Sequence, residues 1–122
     1  MRVGIVGGGM ISGHHLTAMR RYPRCEIVGI ADRDSARAEA QARRFAVPRT
    51  CGTLRELLAL KPDVIHILTP PDSHAALTVE ALEGGAHVYV EKPMAVTPGE
   101  CARMIAAARR CGRELCVGHC WN

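Results

Sequence analysis

A doubly wound α/β sheet of about six parallel strands, with helices on both faces, is the architecture this 122-residue chain predicts. Short apolar runs alternate with helix-like stretches six times, and right-handed crossovers turn that order into a parallel sheet. Hydrophobic residues make up 48% of the chain and aromatics only 3%, so the core falls to Val, Ile, Leu and Ala, the composition of strands covered on both faces. Glycines crowd the turn after the first apolar run.

Residues 1–6 (MRVGIV) read as a buried strand stopped by glycine, and 10–21 as a helix, with Met10, Ile11, His14 or His15, Ala18 and Met19 at helical spacing. Residues 25–31 (CEIVGIA) form a second strand ending at Asp32. The Ala- and Arg-rich stretch 34–45 is helical and closes before Val47-Pro48. A short third strand near Thr50-Cys51 precedes Thr53-Leu54-Arg55-Glu56, a capping box that opens a brief helix. Strand four covers 63–68 (DVIHIL) and is broken by Thr69-Pro70-Pro71. A helix over 73–83 ends at Gly84-Gly85, and 86–90 (AHVYV) is strand five. Thr97-Pro98-Gly99-Glu100 is a second capping box with proline in the first helical position; its helix runs to about Arg110, and 114–118 (ELCVG) is strand six. The pattern describes one domain over residues 1–122.

Composition sets aside several classes. No apolar run approaches the ~20 residues of a membrane span. The first residues lead straight into a strand, so a soluble, cytoplasmic protein is expected. The net charge is +4, and all but two of the 16 basic residues are arginines scattered along the chain, mostly near helix ends. With so few aromatics there is no stacking platform for single-stranded nucleic acid, and no nucleic-acid partner is expected. The six cysteines contain no C-x-x-C pair, so free thiols are expected rather than disulfides. Cys116, His119 and Cys120 have the residue types of a metal site, but Cys116 falls in an apolar strand pattern suited to a small buried hydrophobe. No metal site is expected.

Gly7, Gly9 and Ser12 occupy the three positions of G-x-G-x-x-G between a strand and a helix. The first permits the tight turn, the second brings bare backbone to a pyrophosphate, and the third lets helix and strand pack closely. Phosphates then sit at the helix N-terminus among free N–H groups. Ser12 departs from glycine by a small side chain only. Asp32 falls 20 residues later at the end of strand two, where a carboxylate accepts hydrogen bonds from the adenosine ribose. A tightly packed glycine turn, with Asp32 helping to cap the next helix, would use the same residues. Fingerprint and acid together, in a strand–helix–strand setting, favour a dinucleotide. Asp32 repels a 2′-phosphate, so NAD is expected over NADP, with Arg33 a local attraction for phosphate.

Three further stretches, LTPPDSH (68–74), ALEGGAHVYVEKPMAVT (81–97) and VGH (117–119), join GGGMISGHH and IADRD in resembling the N-terminal, Rossmann-type domain of the Gfo/Idh/MocA oxidoreductase family. The resemblance spans essentially the whole chain, and Glu91-Lys92-Pro93 is its most specific mark. It implies a nicotinamide-dependent dehydrogenase acting on a sugar, polyol or related hydroxy or keto substrate. Thr69, Pro70, Pro71 and His74 would lie beside the nicotinamide end of the cofactor, with Met10 and Ile11 at the glycine loop. Glu91 and Lys92 would lie at the active site, Lys92 assisting proton transfer, and the Lys92–Pro93 bond would be cis to turn Lys92 into the cleft. The stretch Gly118-His119-Cys120-Trp121-Asn122 departs from the family's G-x-N-x-R. Family members continue into an α+β domain that carries the substrate wall and the contacts of a homo-oligomer, so the chain reads as a fragment or truncated member. A dinucleotide-binding or regulatory module without catalysis is the competing expectation. A methyltransferase has no place for E-K-P.

Overall fold

The computed structural model describes residues 1–118. Six strands, β1 (Arg2–Val6), β2 (Glu26–Ala31), β3 (Thr50–Cys51), β4 (Val64–Ile67), β5 (His87–Val90) and β6 (Leu115–Val117), form one sheet among the described residues. All pairings are parallel, in the order β3-β2-β1-β4-β5-β6. The connecting helices are α1 (Met10–Met19), α2 (Ser35–Phe45), α3 (Leu54–Leu58), α4 (His74–Glu83) and α5 (Pro98–Cys111), with a 3-10 turn, Pro71–Ser73, leading into α4. This is the expected doubly wound sheet. The chain builds outward from β1 to β3 and then returns to place β4 on the other side of β1. That reversal leaves a crevice beyond the carboxyl ends of β1 and β4, the general location of ligand sites in open α/β sheets.

The period-2 alternation of the strands sends side chains to two cores. On one face Val3, Ile5 and Ile30 pack with Leu16 and Met19 of α1 and Ala38, Ala42 and Phe45 of α2. On the other, Ile65, Ile67, Val88 and Val90 pack with Leu57 of α3, Ala81 and Leu82 of α4, and Met104 and Ala107 of α5. Gly4 and Gly29 face each other across β1 and β2 beneath α3. A Cβ on Gly4 would lie 2.8 Å from Ile65 Cδ1, and one on Gly29 2.9 Å from Leu57 Cδ1. The paired glycines hollow the sheet so that the short helix α3 sits closely on it.

The helix ends follow the sequence with two corrections. Thr53 Oγ1 accepts from Glu56 N–H, and Thr97 Oγ1 from Glu100 N–H, as a capping threonine should. The reciprocal arm reaches one residue further back: Gly52 and Val96 donate their N–H groups to the Glu56 and Glu100 carboxylates, at 3.1 Å each. The α4 helix closes on Gly84 in right-handed geometry, and Gly85 takes the positive φ of 93°. The α2 helix ends on Ala46 in the left-handed region (φ 55°), with no glycine to announce it.

The inner face of α1 differs from the spacing read in the sequence. Its buried residues are Ser12, Leu16 and Met19, while Met10 is 88% exposed and Ala18 lies outside. Met10 overhangs the crevice, whereas Ile11 lines the crevice and also packs against the core beneath α1. Cys116 is also corrected: it is exposed on β6, not a buried small hydrophobe. His119 and Cys120, its partners in the metal reading, lie outside the described residues, as does the departure at Trp121-Asn122. The described cysteines are free thiols. Among the described residues no helix is long and apolar enough to cross a membrane.

Candidate functional site

The glycine turn is built from contacts on three sides. Gly7 adopts φ 104°, and a Cβ there would lie 3.0 Å from the backbone of Leu68, so the turn from β1 presses directly on the end of β4. Gly8, between the two fingerprint glycines, packs against α2: a Cβ would meet Arg37 Cγ at 3.2 Å and the Arg37 carbonyl at 3.3 Å. Gly9 differs from both, with nothing within 4 Å of its Cβ position. It is the N-cap of α1, with no side-chain cap and no acidic residue in the first turn. An uncapped helix N-terminus beneath open space is a ready anion site.

Ser12 shows why this turn tolerates a third residue other than glycine. It is fully buried; its hydroxyl donates to the Gly9 carbonyl at 2.6 Å and accepts from Gln41 Nε2 at 2.9 Å. The hydroxyl replaces close packing by a hydrogen-bonded link between α1 and α2.

Asp32 stands at the end of β2 with its carboxylate directed back at the turn. Oδ2 accepts from Gly8 N–H at 2.8 Å and Oδ1 from Asp34 N–H at 2.9 Å. Asp34, not Asp32, caps α2 by accepting from Ala36 and Arg37 N–H. Each Asp32 oxygen keeps a further lone pair for an incoming donor. The cation nearest the carboxylate is Arg37, Nη1 at 3.8 Å, from the first turn of α2.

Gly7, Gly9, Asp32 and Arg37 line one open cleft of about 1140 Å³ at the β1–β4 reversal. Of the residues singled out in the sequence, Gly7, Gly9, Met10, Ile11, Asp32, Arg33, Thr69 and Pro70 are on its wall. Sequence reasoning missed Arg37 beside Asp32, and Arg55 of α3 and Ala76, Leu77 and Glu80 of α4 elsewhere on the wall. Arg37 was findable, since it falls in the first turn of a helix whose N-terminus opposes a cation. The α4 residues carry no local signal, because only the packing of α4 brings them to the cleft.

Pro71, His74, Glu91 and Lys92 are not on that wall. His74 is 1% exposed at the start of α4, with Nε2 2.7 Å from the Thr69 carbonyl and Nδ1 2.9 Å from the Pro93 carbonyl. It ties the loop after β4 to the loop after β5. A neutral imidazole donates to one of these carbonyls, and the imidazolium to both. Thr69 Oγ1 lies 2.6 Å from Ser73 Oγ, which donates to the Pro70 carbonyl and closes the 3-10 turn. Glu91 donates its N–H to the Ile67 carbonyl, extending the β4–β5 ladder by one rung. Its carboxylate meets His15 Nε2 at 2.8 Å. Lys92 follows, exposed, and the Lys92–Pro93 bond is cis as expected.

A model of an oxidoreductase family with an NAD-binding Rossmann fold, GFO_IDH_MocA, matches residues 1–119. A curated 1-carboxy-3-chloro-3,4-dihydroxycyclohexa-1,5-diene dehydrogenase of Comamonas testosteroni is 39% identical over 121 residues, which cover 98% of this chain and 30% of that protein. The WlbA dehydrogenase of Chromobacterium violaceum, solved with NADH and UDP-GlcNAcA, superposes with a TM-score of 0.93 at 31% identity over 97% of this chain and 34% of its own. KijD10, a 3-ketoreductase of Actinomadura kijaniata solved as its Y186F mutant with TDP-benzene and NADP, superposes at 0.89 and 31% identity, covering 97% and 37%. The chain thus spans about a third of the length of the relatives it matches.

Proposed function

The chain belongs to the GFO_IDH_MocA oxidoreductase family, in its NAD-binding Rossmann fold, and on that premise we propose that it binds NAD across the β1–β4 crevice for dehydrogenation of a sugar- or polyol-like substrate. The observation carrying this reading is the pairing of an uncapped α1 N-terminus at Gly9 with the Asp32 carboxylate on one cleft wall. The first suits a pyrophosphate and the second a ribose diol. Bound nicotinamide would supply the hydride acceptor. Lys92, at the carboxyl end of β5, is the group we assign to the hydroxyl proton: as the free amine it takes that proton while the carbinol carbon loses its hydride, and as the ammonium it returns it in reduction. His74 holds the loops on either side of this region through the Thr69 and Pro93 carbonyls.

Relatives of known structure bind NADH in one case and NADP in another, and this chain carries features of both preferences. Asp32 favours an unphosphorylated ribose, while Arg33 and Arg37 offer guanidinium groups to a 2′-phosphate. We assign NAD, because the Asp32 carboxylate is fixed by two backbone N–H groups at the ribose end whereas both arginines are exposed. The fold is one domain of the working enzyme in this reading, and the substrate walls and subunit contacts come from protein outside it.

Calorimetric titration with NAD and with NADP tests the assignment. NAD is expected to bind more tightly, and Asp32→Ser to narrow the gap. Tighter NADP binding would overturn the cofactor assignment, and absence of binding to either would overturn the function.

A further inference from the structure

Beside the cleft, four side chains from four segments meet under the turn that carries Lys92. His15 comes from α1, His66 from β4, Tyr89 from β5, and Glu91 from the residue after β5. His15 Nε2 lies 2.8 Å from Glu91 Oε1, with both side chains nearly buried at 14% and 13% exposure. His15 Nδ1 lies 3.1 Å from His66 Nδ1. The His66 ring stacks on Tyr89 at 4.8 Å between centroids, and His15 meets both rings edge-on at 5.3 Å. The Tyr89 hydroxyl lies against Gly118, where any side chain would collide with it.

We propose that His15 is a positioning residue for the Glu91–Lys92 turn: it grips the Glu91 carboxylate on α1, away from the Lys92 amine, and His66 complements the proton arrangement this grip requires. The inference rests on the assignment of Lys92 as the proton-exchanging group.

Proton counting supports the grip. An ionised carboxylate only accepts, so the proton in the Glu91 contact sits on His15 Nε2. The Nδ1–Nδ1 contact holds one proton. With His15 neutral, its Nδ1 has a lone pair and His66 donates from Nδ1; with His15 protonated, His66 accepts there and keeps its own proton on Nε2. In both states Nε2 remains the donor to Glu91. His66 stays neutral in both, since burial, and after it the neighbouring His15, pushes it down to about 4. A cation at that position would leave the two Nδ1 atoms without a compatible arrangement once His15 is charged.

The consequence falls on Lys92. A carboxylate free to approach an ammonium stabilises it and makes the amine a poorer base near neutral pH. Glu91 is the nearest carboxylate in sequence, yet it is spent on α1, and Lys92 forms no ion pair among the described residues.

The chain has only two lysines, Lys61 and Lys92, which makes the test direct. Reductive 13C-methylation labels both amines and the N-terminus, and NMR follows each midpoint against pH. In His15→Leu the Lys92 midpoint is expected to rise by about half a unit or more while Lys61 stays in place. In His15→Gln, whose amide replaces the Nε2 donor, it is expected to stay within about 0.2 units of the unmodified chain. Ring 15N spectra should show His15 protonated on Nε2 and, where His15 is neutral, His66 protonated on Nδ1. An unchanged Lys92 midpoint in a folded His15→Leu chain, or a neutral His15 protonated on Nδ1, would overturn the proposal. If His15→Leu does not fold, Glu91→Gln decides: an unmoved Lys92 midpoint upholds the grip, and a fall of half a unit shows that Glu91 already acts on the amine. NAD titration of the same samples keeps the outcomes separate, since lost binding in the unmodified chain fails the functional reading and leaves the lysine midpoints to judge His15.

Discussion

Ser12 carries two hydrogen bonds that no glycine could make, so it is not a defect in the fingerprint. Ser12→Ala removes the donor to Gly9 and leaves the Gln41 amide with its longer contact to the Gly9 carbonyl, 3.3 Å. A loss of about 1–2 kcal/mol is expected, read as a lower urea midpoint at unchanged slope. His66 makes the fold sensitive to acid. Its ordinary value of 6.5 is lowered to about 4, so the unfolded chain binds more protons between those values. This contribution is complete above about pH 6.5 and is lost as pH falls toward 4; it amounts to at most about 3 kcal/mol. His66→Gln should flatten that acid limb of the stability–pH curve, and an unchanged limb would place the titration elsewhere.

Elements were legible where their signals are local. Both threonine caps, the proline at the start of α5 and the strand-ending glycines were readable, because a cap or a turn is satisfied within four residues. The inner face of α1 was legible only in part: Ile11 and Met19 pack on the core, but Met10 and Ala18 do not, since apolar spacing cannot tell a helix face over a core from one over a crevice. The seat of α3 was equally hidden. Gly4 and Gly29 lie 25 residues apart in sequence, and only sheet register sets them side by side under Leu57. Gly4→Ala is expected to cost about 1–3 kcal/mol by overpacking against Leu57 and Ile65. Adding Leu57→Val should recover part of that loss relative to the sum of the single changes, and strict additivity in thermal unfolding would remove the close-seat explanation.

At the scale of the molecule, the cleft wall brings together the Gly9 helix N-terminus and the Asp32 carboxylate, while Lys92 stands exposed beyond the end of β5. This 122-residue chain is therefore expected to bind NAD but to leave polyols and sugars unoxidised. Hydride transfer requires reacting atoms held at about 3–3.5 Å in one orientation, and among the described residues Lys92 is exposed and off the cleft wall. Reduced cofactor that tracks the purified chain and disappears with Lys92→Ala would show the opposite.

By itself the sequence determined the order of strands and helices, the doubly wound class and the glycine turn with Asp32, whereas the cis Lys92–Pro93 bond was expected only from the family resemblance. The first three are written in residues close together, or in a periodicity that any local segment must obey. Tertiary structure decided what those pieces touch. It set Gly8 against α2, made Arg37 the nearest cation to Asp32, and turned His74 into a tie between two loops. It also gave Glu91 to His15 across 76 residues. Such contacts depend on strand order and helix placement, and a parallel sheet brings together the ends of strands that lie far apart along the chain.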